Sequence, residues 1–214
     1  MRSVLCYGDS NTHGQIPGKG PLERYGPAER WPGILRAQLG PDWYVIEEGL
    51  SGRTTVHDDP IEGAHKNGRT YLRPCLQSHA TLDLVIIMLG SNDMKPAIAG
   101  TAIAARQGVQ RLVGLIRHHE YSFDYDAPDI LIVSPPPLCE TADPVFSAIF
   151  QNGIEQSSML ATLYRDLADD IGCGFYDAGS VATTSPIDGV HLTAENTRAI
   201  GRGLEPIVRV MMGL

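Results

Sequence analysis

The chain has 214 residues, of which 43% are hydrophobic, and its 17 basic and 25 acidic residues give a net charge of −8 at neutral pH. This length and apolar share are typical of one globular domain with a full core, so we expect a single domain over residues 1–214. The negative balance, without a cluster of Lys or Arg in the sequence, disfavours nucleic acid as a partner. No uninterrupted apolar window of about 18 residues occurs, which argues against a membrane span.

The N-terminus and the cysteines indicate the compartment. The first predicted strand begins so early that no room remains for the charged region, apolar core and cleavage site of a secretory leader, and we therefore expect a cytoplasmic protein. Cys6, Cys75, Cys139 and Cys173 are scattered without a C-x-x-C pair. This spacing argues against a disulfide framework and against a thiolate metal site. We expect the four cysteines to be small core residues.

Apolar runs and helical periodicity alternate along the chain. In chain order they predict strand 4–7, helix 31–39, strand 43–47, helix 71–79, strand 82–89, helix 101–118, strand 130–133, one or two helices within 145–170, strand 174–176 and helix 193–212. The run at 82–89 is almost continuously apolar, as expected for a parallel strand covered on both faces. This alternation predicts a three-layer α/β/α sandwich with a five-stranded parallel sheet.

Two long polar segments interrupt this pattern. Residues 14–30 are rich in Gly and Pro, and a loop of this length is expected to border the active site or an interface. Residues 56–70 contain His57, Asp58 and Asp59. These three residues could suggest a metal site, but their spacing does not match the helical His pairs of zinc sites, and Asp before Pro is also a common turn residue. We therefore expect a solvated loop here.

Three predicted strands finish in short turns that carry Gly and a hydrogen-bonding group. The three turns are 8–10, 51–52 and 90–92. Because the carboxyl ends of parallel strands meet at one edge of a sheet, we expect these turns to lie close together. The plainer alternatives stay open for each turn, since Asp9 or Ser10 could cap a helix, Gly52 could be a left-handed turn position and Asn92 a turn residue.

The end of the chain supplies the groups that a nucleophilic serine needs. Ser10 is the candidate nucleophile, His191 the base that takes its proton, and Asp188 the acid that orients the imidazole. The candidate oxyanion donors are the backbone N–H groups of Ser10 and Gly52 and the side-chain amide of Asn92. Taken singly, Asp188 could instead cap a loop and His191 could be a surface residue.

Four blocks of the sequence resemble those of the SGNH (GDSL-type) hydrolases. The blocks are residues 8–11, Gly52, residues 90–93 and residues 188–191, and the fuller runs 46–55, 83–90, 133–137 and 175–180 look most like the bacterial arylesterase and acyltransferase subgroup. The resemblance implies a flavodoxin-like SGNH hydrolase fold. It also implies a serine esterase that acts on short acyl and aryl esters without metal or cofactor, with some acyl transfer to alcohols or peroxide.

The resemblance also carries expectations about substrate and assembly. Asn11 departs from the family pattern, where many members have Leu at the entrance of the site, and an apolar pocket would draw on Phe146, Phe150 and Val190. Both Phe residues could equally be plain core residues. In this subgroup the loops at 14–30 and 56–70 build contacts between subunits, so a higher homo-oligomer, with an octamer among the options, is expected.

Three other functions remain open at this point. One is a carbohydrate O-deacetylase of the same family. Another is a metal-dependent phosphoesterase, because carboxylates and His191 at strand ends could collect divalent ions, although the first strand lacks an Asp-x-His pair. The last is a ligand-binding domain that has the fold without the activity. The natural ester is not identified by the sequence.

Overall fold

A computed structural model describes residues 1–121 and 125–214, and its centre is one parallel sheet. The strands lie in the order β2-β1-β3-β4-β5. They are β1 (Arg2–Gly8), β2 (Trp43–Gly49), β3 (Leu84–Met88), β4 (Asp129–Ser134) and β5 (Gly174–Asp177). Every recorded strand pairing is parallel. The predicted α/β class with a five-stranded parallel sheet is confirmed.

Eight α-helices connect and flank the strands in the part of the chain that is described. They are α1 (Ser10–His13), α2 (Trp31–Leu39), α3 (Gly68–Ser78), α4 (Ala102–Arg117), α5 (Pro144–Ile149), α6 (Gly153–Ser158), α7 (Leu160–Ile171) and α8 (Ala194–Met211). Short 3₁₀ turns occur at 64–66, 92–94 and 178–180. No helix of residues 1–121 or 125–214 is long and apolar enough to cross a membrane.

The two faces of the sheet bury separate apolar cores, which produces the three layers. Side chains of α3, α4 and α7 pack on one face, where they meet Leu5, Tyr7, Val85 and Ile87. The opposite face carries α2 and α8. All five residues of β3 are completely buried, as expected for a strand covered on both sides. The turns after β1 and β3 therefore follow strands that are packed between the two cores.

Several predicted boundaries shift for identifiable reasons. Helix α3 begins at Gly68 rather than at 71, because the side chain of Asn67 accepts the Arg69 N–H and caps its first turn. The last three residues of the predicted loop 56–70 therefore belong to α3. The stretch 145–170 forms three helices instead of one or two, with a break at Asn152, whose φ is +64°.

The solvated-loop interpretation of residues 57–59 is wrong for Asp59. Its side chain is 5% exposed and accepts the backbone N–H groups of Ile61 and Glu62 at 2.8 Å each. Asp59 is thus a buried turn residue, which agrees with the turn interpretation of the same residues.

The prediction that all four cysteines are core residues holds for two of them. Cys6 and Cys75 are buried, whereas Cys139 and Cys173 are half-buried. Cys173 lies directly before β5, the strand at one edge of the sheet. An edge strand is covered by fewer neighbours than a central one, which explains the greater exposure there.

Candidate active site

The turn after β1 places Ser10 at the carboxyl edge of the sheet. Gly8 ends the strand, and a Cβ at Gly8 would lie 2.0 Å from Thr12 Oγ1 and 2.8 Å from the Met88 carbonyl oxygen. Glycine is therefore required here for space and not for an unusual φ. Asp9 caps α1 by accepting the Asn11 N–H at 2.9 Å. Because Asp9 caps the helix, the Ser10 hydroxyl remains available as a nucleophile, and the two interpretations of this turn are compatible.

Ser10, His191 and Asp188 form a continuous hydrogen-bonded chain. His191 Nε2 lies 3.0 Å from Ser10 Oγ, and His191 Nδ1 lies 2.8 Å from Asp188 Oδ2. Because the carboxylate only accepts, Nδ1 carries the ring proton and Nε2 is free to accept the serine hydrogen. All three residues are at most 4% exposed. This tautomer is the one that a general base for Ser10 needs.

Asp188 is held by four hydrogen bonds, one of which comes from a distant loop. Oδ1 accepts the N–H groups of Val190 and His191, and Oδ2 accepts the Gly18 N–H at 2.8 Å as well as the imidazole. Burial acts to raise the pKa of Asp188, but the His191 bond and charge and the backbone donors outweigh it and lower the pKa to about 2. The carboxylate therefore stays ionised. The loop 14–30 borders the site through Gly18, a contact that sequence patterns did not identify.

The three candidate oxyanion donors lie on neighbouring turns. The Leu50 N–H donates to the Gly8 carbonyl at 3.1 Å, which fixes the Gly52 turn beside the end of β1. Asn92 Nδ2 donates to the Arg53 carbonyl at 3.1 Å and joins the third turn to the second. Within the described residues neither the Ser10 N–H nor the Gly52 N–H has an acceptor. Gly52 adopts φ +81°, so it is also the left-handed turn position considered above.

Two further buried carboxylates lie behind these turns. Desolvation raises the pKa of Asp9 to about 6, and one of its oxygens, Oδ2, has no hydrogen-bond partner among the described residues. Desolvation likewise raises the pKa of Asp93 to about 6, although Thr55 donates to it through both its N–H and its hydroxyl. No group of three or more His, Cys, Asp or Glu side chains suited to a metal occurs within residues 1–121 and 125–214.

A cavity of about 450 Å³ adjoins the triad and has Asp188 and Val190 in its wall. Phe146 and Phe150 line it, with ring centroids 6.3 Å apart, and the Phe146 ring meets the His191 ring edge-on at 5.9 Å. Asn11 does not line this cavity. Asn11 is 3% exposed, and its side-chain amide donates to the carbonyl of Val190 at 3.2 Å. It therefore contacts the cavity only through Val190, a residue of the cavity wall.

The cavity has lining residues that sequence patterns did not single out, among them Leu138, Cys139, Glu140 and Thr141. They follow the run of three prolines after β4, and that stiff exit was the signal available for them. A larger open groove, about 1470 Å³, lies along α3 and α4 and contains no member of the triad. The smaller cavity is therefore the candidate substrate pocket.

Comparisons with known proteins show which family the chain resembles. The model of the GDSL-like lipase/acylhydrolase family matches residues 6–199. A carbohydrate acetylesterase family member from Sinorhizobium meliloti is 58% identical over the whole of both chains, with a TM-score of 0.96. The M. smegmatis aryl esterase is 43% identical, covering 98% of this chain and 99% of its own, with a TM-score of 0.94. Est24, a carbohydrate acetylesterase from Sinorhizobium meliloti, is 44% identical, covering 99% and 100%, also with a TM-score of 0.94.

A search of curated proteins gives no match. The family model covers most of the chain, and the solved structures extend the similarity over its full length. The resemblance to the SGNH (GDSL-type) hydrolases seen in the sequence is thus confirmed. The chain belongs to the GDSL-like lipase/acylhydrolase family of ester hydrolases.

Proposed function

We propose that the protein is a serine esterase that hydrolyses short-chain acyl and aryl carboxylic esters through an acyl-enzyme on Ser10. The observation that carries the proposal is the hydrogen-bonded chain from Ser10 Oγ through His191 to Asp188, with links of 3.0 and 2.8 Å. These distances fall within the range over which a general base takes a proton directly.

The reaction follows from the positions of the three groups. Ser10 Oγ attacks the ester carbonyl carbon while its proton passes to His191 Nε2, and Asp188 stabilises the resulting imidazolium. Collapse of the tetrahedral intermediate breaks the bond to the alcohol oxygen, which takes the proton from Nε2. Water then repeats the sequence on the acyl-enzyme, and the carboxylic acid leaves Ser10 free again.

The negative oxygen of the intermediate needs donors that exist before the reaction starts. The N–H groups of Ser10 and Gly52 have no acceptor within the described residues, and Asn92 has a second amide hydrogen beyond the one that the Arg53 carbonyl takes. Preorganised donors of this kind are worth about 10² to 10³ each in turnover. We assign these three groups to the oxyanion site.

The pocket supports a preference for small acyl or aryl groups. Its volume of about 450 Å³ and its Phe146, Phe150 and Val190 lining suit an apolar group of modest size. The Phe146 ring also covers one side of His191. This apolar cover favours organic nucleophiles over water near the acyl-enzyme, which supports our further proposal of acyl transfer to alcohols or peroxide.

A carbohydrate O-deacetylase is the second candidate. It is favoured by the 58% identity to a chain described as a carbohydrate acetylesterase family member. Both candidates use the same triad, and they differ in the alcohol part of the ester. Rates on acetylated sugars and on p-nitrophenyl and phenyl esters of increasing acyl length, compared as kcat/KM, distinguish them. A preference of 100-fold or more for the acetylated sugars would replace the aryl ester assignment.

The decisive experiment measures turnover of p-nitrophenyl acetate with and without Ser10. We expect Ser10→Ala to abolish turnover while Ser158→Ala, which removes an exposed hydroxyl, retains it. An organophosphonate should add to Ser10 and give the corresponding mass increase. Turnover should also survive EDTA. Full activity in Ser10→Ala, or activity lost on chelation and restored by a divalent ion, would refute the serine mechanism, and the second result would favour the phosphoesterase alternative.

A further inference from the structure

Arg53 is a buried cation without an ion-pair partner in the described part of the chain. Its residue is 2% exposed, and no carboxylate oxygen there lies within 4.0 Å of its guanidinium. A buried charge is unfavourable unless hydrogen bonds compensate its lost hydration. The groups that contact the Arg53 guanidinium therefore indicate its structural role.

The guanidinium joins the ends of two neighbouring strands. Arg53 Nη1 donates to the Gly8 carbonyl at 2.9 Å and to the Glu48 carbonyl, and the guanidinium carbon lies 4.1 Å from the centre of the Tyr7 ring. Gly8 is the last residue of β1 and stands two positions before Ser10. Arg53 thus fixes the edge of the sheet from which the candidate nucleophile emerges.

The backbone of the same residue fixes the other two oxyanion donors. Its carbonyl accepts a hydrogen bond from Asn92 Nδ2 at 3.1 Å. Because a carbonyl can only accept, this contact orients the amide so that its NH₂ group, and not its oxygen, faces the Arg53 carbonyl. Gly52 is the preceding residue, and the Arg53 N–H closes its turn by donating to the Leu50 carbonyl at 3.0 Å. One residue therefore connects the turns that carry all three donors.

The segment that follows the Gly52 turn in the chain is held by a second set of hydrogen bonds. Thr55 donates to the buried Asp93 carboxylate through its N–H at 3.0 Å and its hydroxyl at 2.5 Å. Arg53 and Thr55 both follow Gly52 in the chain, and their contacts hold this segment to β1, β2 and the turn after β3. Arg53 makes no hydrogen bond or ion pair with Ser10, His191 or Asp188.

We propose that Arg53 is a positioning residue that sets the Gly52 N–H and the Asn92 amide relative to Ser10, so that they meet the negative oxygen of the ester intermediate. The inference rests on the proposed esterase function. A misplacement of about 1 Å can lower a rate about 100-fold. We therefore expect Arg53→Met, which keeps the unbranched apolar part of the side chain and removes its donors, to lower kcat about 10- to 100-fold.

The expected kinetic pattern separates positioning from general structural support. Oxyanion contacts act in the transition state, so KM for p-nitrophenyl acetate should change less than three-fold. Arg53→Lys should recover part of the lost rate. Arg69→Met, an exposed arginine on α3, should behave as wild type.

A double-mutant comparison tests whether Arg53 acts through the donors. In an Asn92→Ala background, Arg53→Met should reduce kcat by no more than a third of the factor that it produces in the wild-type background. Equal factors in the two backgrounds would overturn the proposal. If Arg53→Met fails to fold by circular dichroism, Arg53→Lys decides the question: a kcat below wild type with KM changed less than three-fold supports the proposal, and any other pattern refutes it.

The two proposals fail in distinguishable ways. If the unmodified protein shows no turnover that depends on Ser10, the esterase function is wrong. If it does show such turnover and folded Arg53→Met matches it, the esterase function stands and the positioning role of Arg53 is refuted.

Discussion

Asp188→Asn exchanges one oxygen of the triad acid for an NH₂ group without changing its shape. In the native protein Oδ1 accepts two backbone N–H groups, whereas Oδ2 accepts one backbone N–H, from Gly18, and the ring nitrogen Nδ1 of His191. The amide oxygen should stay at the Oδ1 position, because backbone N–H groups cannot become acceptors. The NH₂ group then occupies the Oδ2 position and faces His191.

The imidazole is the one partner that can adapt to this change. Facing a donor, Nδ1 becomes an acceptor and the ring proton moves to Nε2, the atom that lies 3.0 Å from Ser10 Oγ. Nε2 can then no longer take the serine proton. The corresponding exchange in serine proteases lowers kcat by about 10⁴, which is about 5 kcal/mol of transition-state stabilisation. We expect a loss of that order, with measurable activity remaining.

The assay is steady-state turnover of p-nitrophenyl acetate, with Asp42→Asn as the matched control, since Asp42 is exposed and away from the site. The Gly18 N–H loses its acceptor in Asp188→Asn, and because Gly18 is exposed to solvent, only about 0.5 to 1.5 kcal/mol of stability should also be lost. The fold must therefore be checked by circular dichroism. Wild-type kcat in folded Asp188→Asn would refute the role of Asp188, and an equal loss in Asp42→Asn would show that charge alone is responsible.

Three further predictions concern other residues of the site. Asn92→Ala should lower kcat for p-nitrophenyl acetate about 10²- to 10³-fold with little change in KM, because it removes an oxyanion donor. Gly8→Ala should lower the free energy of unfolding by about 1 to 3 kcal/mol in urea titrations, since its Cβ would overlap Thr12 and the Met88 carbonyl. Asp9→Asn should be more stable than wild type above pH 6, by up to about 2 to 3 kcal/mol. The folded Asp9 carboxyl has a pKa of about 6 against an ordinary 3.8, so the native state binds the proton more tightly than the unfolded state. Wild-type stability therefore falls as pH rises from about 4 to 6, and the advantage of Asp9→Asn should disappear below about pH 4.

Each of these predictions has a contradicting result. A ten-fold rise in KM at constant kcat in Asn92→Ala would mean that the amide binds the ground state. Gly114 offers a control for Gly8, since a Cβ there meets nothing within 4 Å inside α4, and Gly114→Ala should stabilise by up to about 1 kcal/mol. If Gly8→Ala and Gly114→Ala changed the free energy of unfolding equally, the steric explanation for Gly8 would be refuted. A stability difference between Asp9→Asn and wild type that does not vary between pH 4 and pH 8 would show that the Asp9 carboxyl titrates normally.

Local sequence patterns predicted the elements and the Asp188–His191 pair because both are encoded over short distances. Helix α2 has the predicted bounds, with Pro32 near its start and Gly40 after its end. Thr193 caps α8 as predicted. The D-x-x-H spacing lets Asp188 reach the His191 ring within one turn. In each case the interacting residues are neighbours in the chain.

Tertiary contacts account for what the patterns missed. Nothing near Gly18 in the sequence indicates that its N–H reaches Asp188, 170 residues later. The guanidinium of Arg53 likewise bonds to carbonyls of two strands, and a buried arginine has no sequence pattern that separates it from an exposed one. The split of 145–170 depends on Asn152 adopting a left-handed conformation, which Asn tolerates but does not require.

The bond from Gly18 to Asp188 has a practical consequence for protein engineering. The segment 14–30 is an obvious place to exchange residues when a different range of esters is wanted, because it borders the site and has no helix or strand of its own. Any graft that moves Gly18 also removes a donor from the triad carboxylate. Redesigns of this segment should therefore keep the backbone at position 18, or else selectivity and proton transfer will change together.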